Sequence, residues 1–222
     1  MTRQRLTGLP LRAALRLYLV VGPQDSDDVT KVVAQAVAGG VTMVQWRDKH
    51  AETSQQTVMA VQGLCRTAGV PFLVNDDVTL AKAIGADGVH LGQDDMDPHS
   101  ARAILGDQAL LGLSVGSDGE AKRYDPQVVD YVGVGPLFAT STKGDAGAAL
   151  GWGEALALIE RQRLNPAVLI GGISSERLDS LPPGPIPAGL AGVAVVSAIA
   201  KAADPEKAAH QLLQKMPLLS PQ

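Results

Sequence analysis

The sequence predicts an α/β protein with the (β/α)8 TIM barrel fold, formed by a single domain. Eight short apolar segments recur along its 222 residues. Each is rich in Val, Leu or Ile without polar alternation, as in parallel strands that are covered on both faces. Helical patterns separate the segments, and a chain of this length is sufficient for one large core. An open doubly wound sheet is the alternative, because it has the same alternation of strands and helices.

The predicted strands follow one another at similar spacing, and most of them end where polar residues begin. They are Leu17–Val21, Thr42–Trp46, Pro71–Asn75, Gly88–Leu91, Leu110–Val115, Tyr131–Val134, Val168–Ile170 and Gly192–Val196. In TIM barrels, the loops after the carboxyl ends of the strands carry the chemistry. The polar residues at these ends are therefore the functional candidates.

Helical patterns fill the intervals between the predicted strands. In the first interval, valines and alanines share one helical face, and Gly39 follows them as a helix stop. Two later helices begin with an aspartate cap followed by proline, at Asp97 and Asp204. The exception is the proline-rich segment 179–192 before the last strand, where a regular helix is not expected.

The barrel is predicted to span residues 17–216, between an N-terminal extension at 1–16 and a C-terminal tail at 217–222. The extension carries four arginines and no acidic residue, and it lacks the apolar core of a secretory signal. We therefore expect a short, partly disordered extension, with a transit-like peptide as the alternative.

Composition excludes several classes of partner. The net charge is −4 and no basic block is present, so binding to nucleic acid is not expected. No apolar run approaches the ~20 residues that cross a bilayer.

Cys65 is the only cysteine, so no disulfide forms within the chain, and we expect a buried structural thiol in a cytoplasmic protein. The sequence leaves the oligomeric state open, with a homodimer as one option.

The second predicted strand ends in alternating polar residues. Gln45, Arg47 and Lys49 recur at every second position, so they share one face. Two cations and an amide in this arrangement are suited to gripping an anion such as a diphosphate. The alternative is a solvated strand end in which Asp48 pairs with Arg47 or Lys49.

Acidic residues follow the third and fourth predicted strands. Their carboxylates could face one site and supply the hard oxygen ligands that suit Mg²⁺. Helix N-capping is the alternative for such residues. Asp77 and Asp97 are the natural caps. This leaves Asp76 after the third strand, with Asp94 and Asp95 after the fourth, as candidate ligands.

The last two strands end in small residues. Gly171 and Gly172 follow the seventh strand, and Val196 and Ser197 follow the eighth. Paired loops after these strands form the common phosphate site of TIM barrels, although glycine alone often marks only a tight turn.

Two further polar residues lie at the fourth and fifth strands. Ser114 could give its hydroxyl to a ligand or cap a turn. His90 lies within an apolar run and is interpreted as a packed, hydrogen-bonded core histidine, because no second His or Cys lies at metal spacing. The sequence shows no Ser/His/Asp or Cys/His arrangement for nucleophilic catalysis.

The chain resembles the thiamine phosphate synthase family in seven motifs, in order and at the expected separations. They are VQWRDK, LVNDD, GADGVHLGQDD, GLSV, DYVGVGPLFATSTK, IGGIS and GVAVVSAI. The resemblance implies an enzyme that condenses 4-amino-2-methyl-5-(diphosphooxymethyl)pyrimidine with a thiazole phosphate, commonly its carboxylated form. The products would be thiamine phosphate and pyrophosphate. It also implies Mg²⁺ and a dissociative reaction, in which pyrophosphate leaves before the thiazole nitrogen attacks.

Site residues are carried over from the resemblance position by position. The implied substrate contacts are Gln45, Trp46, Arg47, Asp48, Lys49, Asn75, Ser114, Thr140, Ser141, Thr142, Lys143, Gly172, Val196 and Ser197. The implied Mg²⁺ ligands are Asp76 and Asp95. Arg47, Lys49, Ser114 and Lys143 are the implied catalytic residues. The loop 136–150 is expected to lie over the active site and to order around the ligands. Trp46 departs from the family pattern, which more often has an aliphatic residue there.

Three other functions fit the same fold. A related thiazole tautomerase would tend to have histidine two positions after Ser114, where this chain has Gly116. A non-catalytic sensor of thiamine precursors would not require the Mg²⁺ carboxylates. A generic phosphate-binding isomerase would need an acid/base pair and would not need the metal cluster.

Overall fold

The structure is a computed structural model that describes residues 6–48, 55–139 and 148–216. Within these ranges, eight parallel strands close into a barrel in chain order. They are β1 Leu17–Val21, β2 Met43–Trp46, β3 Phe72–Asn75, β4 Gly88–Leu91, β5 Leu110–Val115, β6 Tyr131–Val134, β7 Ala167–Ile170 and β8 Leu190–Val195. The TIM barrel prediction is confirmed, and the open sheet is excluded by the pairing of β8 with β1.

Helices surround the barrel. In the described ranges they are α1 Gly8–Ala14, α2 Val29–Ala38, α3 Gln55–Ala68, α4 Val78–Ile84, α5 Pro98–Leu105, α6 Asp118–Ala121, α7 Gly151–Arg161, α8 Ser175–Leu178, α9 Ser197–Ala200 and α10 Pro205–Lys215. Asp77, Asp97 and Asp204 cap α4, α5 and α10, because each side chain accepts a backbone N–H from three residues later. No helix among the described residues is long and apolar enough to span a membrane.

The N-terminal segment contains a packed helix, so the expectation of disorder there is corrected for residues 8–14. Leu11 and Leu15 are 3% and 0% exposed, and they join side chains of the barrel interior in one apolar cluster. That cluster includes Met43 and Leu110, the first residues of β2 and β5. Helix α1 therefore covers the amino-terminal end of the barrel. From the sequence alone, this segment is expected to lie outside the barrel domain, which is predicted to begin at residue 17.

Side chains alternate between the inside of the barrel and the layer under the helices. One apolar cluster lies within the barrel, and a larger one lies between the barrel and its helices. Along β2 and the residue after it, this alternation turns Gln45 and Arg47 inward and places Trp46 in the outer cluster. Cys65 is fully buried in the outer cluster, as expected for a structural thiol.

The proline-rich segment leads into β8 without a regular helix, as predicted. Helix α8 ends at Leu178, and β8 begins at Leu190. Beyond its first residues, β8 pairs in register with both neighbours, Ala194 lying opposite Ile170 of β7 and Tyr18 of β1. The strand therefore delivers the residues that follow it to the same end of the barrel as the others.

Candidate active site

A cavity of about 520 Å³ opens at the carboxyl-terminal end of the barrel. Seven of the implied substrate contacts form part of its wall: Gln45, Arg47, Asn75, Ser114, Gly172, Val196 and Ser197. They come from loops and strands on opposite sides of the barrel. The fold thus brings the residues proposed to bind a diphosphate and those proposed to bind a phosphate to one opening.

The end of β2 holds a buried cation in the cavity wall. Arg47 is only 8% exposed, and its backbone N–H donates to the Val21 carbonyl oxygen over 2.9 Å. Gln24 Nε2 donates to the Arg47 carbonyl oxygen over 3.0 Å. A β-carbon at Gly22 would lie 1.8 Å from that oxygen, so glycine is needed there. The turn after β1 therefore fixes the backbone from which the guanidinium reaches the cavity.

A chain of hydrogen bonds crosses the inside of the barrel from Gln45 to Ser114. Gln45 Nε2 donates to the Tyr18 hydroxyl over 2.7 Å, and the hydroxyls of Tyr18 and Tyr131 lie 3.0 Å apart. His90 Nδ1 lies 3.0 Å from the Tyr131 hydroxyl, and Nε2 lies 3.0 Å from Ser114 Oγ. The interpretation of His90 as a packed, hydrogen-bonded histidine is confirmed, although its side chain also lines the cavity.

The structure brings one serine and one histidine together, since Ser114 and His90 are within hydrogen-bond distance. The pair lacks the carboxylate of a catalytic triad, because a tyrosine hydroxyl occupies that place at Nδ1. Burial raises the pKa of Tyr18 and of Tyr131 well above the ordinary value for tyrosine. Both tyrosines therefore stay neutral and keep their hydroxyl hydrogens.

Two carboxylates that do not cap helices follow neighbouring strands. Asp76, after β3, is exposed and has a left-handed φ of 63°, an uncommon conformation that often marks functional positions. Asp95, after β4, accepts the Gly92 N–H at one oxygen over 2.6 Å. Asp94, which directly precedes Asp95 in the sequence, lines the cavity. Among the described residues no cluster of three or more His, Cys, Asp or Glu could hold a metal, so a bound Mg²⁺ would need water and substrate oxygens as well.

Glycines shape the opposite side of the cavity, after β7. Gly171 and Gly172 have φ values of 89° and 64°. Residues with a β-carbon adopt such values only with strain. A β-carbon on Gly171 would lie 2.6 Å from Pro136 Cβ, and one on Gly172 would lie 2.6 Å from Arg177 Nη1. Backbone rather than side chain therefore faces the cavity here, as the phosphate-site prediction requires.

The loop after β6 starts and ends on the cavity wall. Leu150 N–H donates to the Pro136 carbonyl oxygen, and Gly151 N–H donates to that of Leu137, each over 2.9 Å. These bonds close the base of the loop expected over the site. Its middle, residues 140–147, lies outside the described residues.

Several predicted contacts are not part of the described cavity wall. Trp46 is 1% exposed in the outer cluster, so the structure corrects the expectation that its side chain contacts substrate. Its indole Nε1 is buried and has no hydrogen-bond partner within the described ranges. Asp48 is half-buried and lies outside the cavity wall. Five predicted residues lie outside the described ranges: Lys49, Thr140, Ser141, Thr142 and Lys143.

The structure adds residues that sequence reasoning missed: Tyr18, Gln93 and Glu120 line the cavity, and Tyr131 belongs to the hydrogen-bond chain inside the barrel. Tyr18 and Tyr131 lie within apolar strand segments. A buried tyrosine needs a hydrogen-bond partner for its hydroxyl. This requirement was the sequence signal that could have identified the two residues. Gln93 Nε2 donates to the Ser114 carbonyl oxygen over 2.6 Å. Glu120 lines the cavity and carried no signal in the sequence beyond its charge.

A closed (β/α)8 barrel with a cation, carboxylates and glycine loops around one mouth is typical of enzymes that act on phosphorylated small molecules. A family model described as thiamine monophosphate synthase matches residues 17–199. The chain belongs to the thiamine monophosphate synthase family. It is an enzyme of the transferase class in thiamine biosynthesis.

Similar proteins cover nearly the whole chain. A thiamine-phosphate synthase of Azorhizobium caulinodans is 46% identical over 202 residues, which is 89% of this chain and 93% of the relative. One of Geobacillus thermodenitrificans is 42% identical, covering 94% of this chain and 95% of the relative. The solved structure of a thiamine phosphate pyrophosphorylase from Pyrococcus furiosus is 31% identical with a TM-score of 0.79, covering 94% of this chain and 98% of that one.

Proposed function

We propose that the chain condenses 4-amino-2-methyl-5-(diphosphooxymethyl)pyrimidine with a thiazole phosphate, giving thiamine phosphate and pyrophosphate. When the thiazole carries a carboxylate, CO₂ is also released. The observation that carries the proposal is one cavity with two unlike ends. Arg47, Gln45 and Asn75 line it on the β2 and β3 side, whereas Gly172 and Ser197 line it after β7 and β8.

The two ends suit the two substrates. A diphosphate carries more charge than a phosphate monoester, and the buried guanidinium of Arg47 is a forked donor for it. The thiazole phosphate would bind to backbone N–H groups after β7 and β8, where Gly172 keeps side chains away. The substrates would then meet in the middle of the cavity, above Tyr18 and His90.

The reaction needs positioning and charge stabilisation more than a nucleophilic side chain. The bond between the pyrimidine methylene carbon and the diphosphate oxygen breaks, and both electrons leave with pyrophosphate. The lone pair of the thiazole nitrogen then forms the new C–N bond. Arg47 would stabilise the charge that develops on the leaving oxygen, and the cavity would hold the nitrogen in line with the carbon.

Mg²⁺ is the proposed cofactor, and the donor set fits it. Asp76 and Asp95 supply hard oxygen atoms from loops after adjacent strands, and the Asp76 N–H donates to the carbonyl oxygen of His90 on β4. When bound, the ion would neutralise charge on the departing diphosphate. Asp76 and Asp95 would hold the ion and leave its remaining ligand positions to water and substrate oxygens.

The tautomerase alternative is less compatible with the structure. A β-carbon at Gly116 would lie 2.7 Å from the Gly135 carbonyl oxygen, so a histidine there would force the backbone to move. The Gly116 N–H donates to Glu120 over 2.7 Å, which fixes the loop in its present form. These contacts favour the synthase.

The test is a reaction of the purified chain with both precursors, with and without Mg²⁺, in which thiamine phosphate and pyrophosphate are quantified. Equal amounts of both products that appear only with Mg²⁺ would support the proposal. The variant Lys143→Ala is expected to slow turnover by roughly 10²–10³, since the family resemblance implies that this lysine contacts the leaving diphosphate. No product from the wild-type chain, or isomerisation of the thiazole instead, would refute the proposal.

A further inference from the structure

The hydrogen-bond chain inside the barrel exists because two strand positions have no side chain. His90, Gly112 and Tyr131 lie in register across β4, β5 and β6. A β-carbon on Gly112 would lie 2.4 Å from His90 Nδ1 and 2.3 Å from Tyr131 Cζ. Gly133 also lies on β6, and a β-carbon there would lie 3.1 Å from His90 Cε1. The two glycines therefore make the space in which the imidazole reaches the tyrosine.

The donors and acceptors define one consistent direction along this chain. The Gln45 amide nitrogen can only donate, so the Tyr18 oxygen accepts and the single Tyr18 hydrogen is available to Tyr131. The hydrogen of Tyr131 is then available to His90 Nδ1, 3.0 Å away. A neutral imidazole that accepts at Nδ1 carries its hydrogen on Nε2, where it donates to Ser114 Oγ.

We infer that Tyr18 and Tyr131 are positioning residues: their hydroxyls hold His90 as the Nε2–H tautomer and leave the hydrogen of Ser114 for an acceptor atom of the substrate. In this direction His90 cannot take a proton from Ser114, so the serine is not activated as a nucleophile. The identity of the substrate rests on the proposed function. The acceptor is either a ring nitrogen or a diphosphate oxygen of the pyrimidine ester, and both require a donor.

The direction of the chain can be tested without any substrate. The protein has four histidines, and nitrogen-15 NMR of labelled wild-type protein at pH 8, with the variant His90→Gln for assignment, reports the tautomer of each. The expected result is Nε2–H at His90. An Nδ1–H tautomer would overturn the inference whether or not the chain makes thiamine phosphate, and failure to make thiamine phosphate would refute only the proposed function.

A serine-reactive fluorophosphonate gives a second measurement on the free protein. The expected result is no labelling of Ser114, as judged by peptide mass spectrometry, because His90 donates to the serine instead of accepting from it. Labelling at Ser114 that is lost in His90→Gln would show the opposite direction and overturn the inference.

Variants of the tyrosines test the consequence for turnover. Tyr18→Phe and Tyr131→Phe keep the rings and remove one link each, so kcat/KM for the pyrimidine ester should fall by about tenfold or more. The KM for thiazole phosphate should not change. Tyr124→Phe is the matched control, because its hydroxyl donates to the Asn165 carbonyl oxygen at the other end of the barrel. If all three variants behave alike, the positioning role is refuted.

Gly112→Ala tests the same link without removing a polar group. The added methyl group separates His90 from Tyr131, so kinetic losses should match those of Tyr131→Phe. Gly63→Ala is the control, since a β-carbon there meets nothing within 4 Å. A folded Gly112→Ala protein with wild-type kinetics would contradict the inference, and should this variant not fold, Tyr131→Phe alone still decides it.

Two partial ligands identify the acceptor. Binding of pyrophosphate and of the hydroxymethylpyrimidine, which has no diphosphate, is measured by calorimetry for wild type and Tyr131→Phe. Weaker binding of the pyrimidine alone places Ser114 against the ring, and weaker binding of pyrophosphate alone places it against the diphosphate. Unchanged binding of both would overturn the inference.

Discussion

Arg12, on the first helix, donates a 2.6 Å hydrogen bond to the carbonyl oxygen of Leu190, the first residue of the last strand. Its guanidinium also reaches Asn165, which precedes β7. Because the barrel closes between β8 and β1, these bonds attach helix α1 beside the closing seam. The N-terminal segment is therefore part of the folded core and contributes to its stability.

The first prediction concerns this helix. Leu11→Ala is expected to lower the free energy of unfolding by about 2–4 kcal/mol, because it empties space among buried side chains. Urea unfolding followed by circular dichroism measures it. Ile104→Ala, at a 36% exposed position, is the control and should cost about 1 kcal/mol or less. Equal effects of the two variants would show that α1 is not packed as described.

The second prediction separates the two ends of the cavity. Asp76→Asn and Asp95→Asn are each expected to cripple synthesis and leave thiazole phosphate binding largely intact, because each removes a charge that would hold Mg²⁺. A turnover assay across Mg²⁺ concentrations and calorimetry with thiazole phosphate measure the two effects. Wild-type rate and Mg²⁺ dependence in either variant would reject the metal assignment. Loss of thiazole phosphate binding in folded variants would reject the division of the site.

The third prediction tests the glycine loop after β7. Gly172→Ala is expected to weaken thiazole phosphate binding by about tenfold or more, since a φ of 64° strains any residue with a β-carbon and that carbon would lie 3.0 Å from Phe138 Cβ. Binding is measured by calorimetry. Gly153→Ala is the control, because a β-carbon there meets nothing within 4 Å. Wild-type affinity in Gly172→Ala would place the phosphate elsewhere.

The fourth prediction is a pH dependence. Burial raises the pKa of Asp25 above 3.8, against the opposing effects of the Gly22 N–H, Lys201 and Arg47. From pH 3.8 up to this raised pKa, the folded state holds a proton that the unfolded state has lost, so this group makes stability fall as the pH rises. Asp25→Asn should remove that fall and should not lower stability at pH 7. Unfolding curves at several pH values check it beside Asp27→Asn, and a lower stability of Asp25→Asn at pH 7 would contradict it.

Much of the fold could be predicted from the sequence because parallel strands covered on both faces must be continuously apolar. This requirement makes each strand recognisable as a continuous apolar run. The first polar residue after the run marks the end of the strand. The ends found in this way, such as Gln45, Asn75 and Ser114, line the cavity. Alternation along β2 also explains the one correction there, because it turns Trp46 to the outer cluster while its neighbours face inward.

The sequence by itself determined that a barrel forms, which strand ends carry polar groups and which aspartates cap helices. These features follow from local patterns of apolarity, charge and helix capping. Only the tertiary structure decided which inward side chains meet across the barrel. Tyr18 and Tyr131 are 113 positions apart and touch because the register of eight strands places them at one level. His90 reaches Tyr131 only because Gly112 between them has no side chain. Such contacts depend on strand register and on space left by a third residue, which neighbouring letters of a sequence do not record.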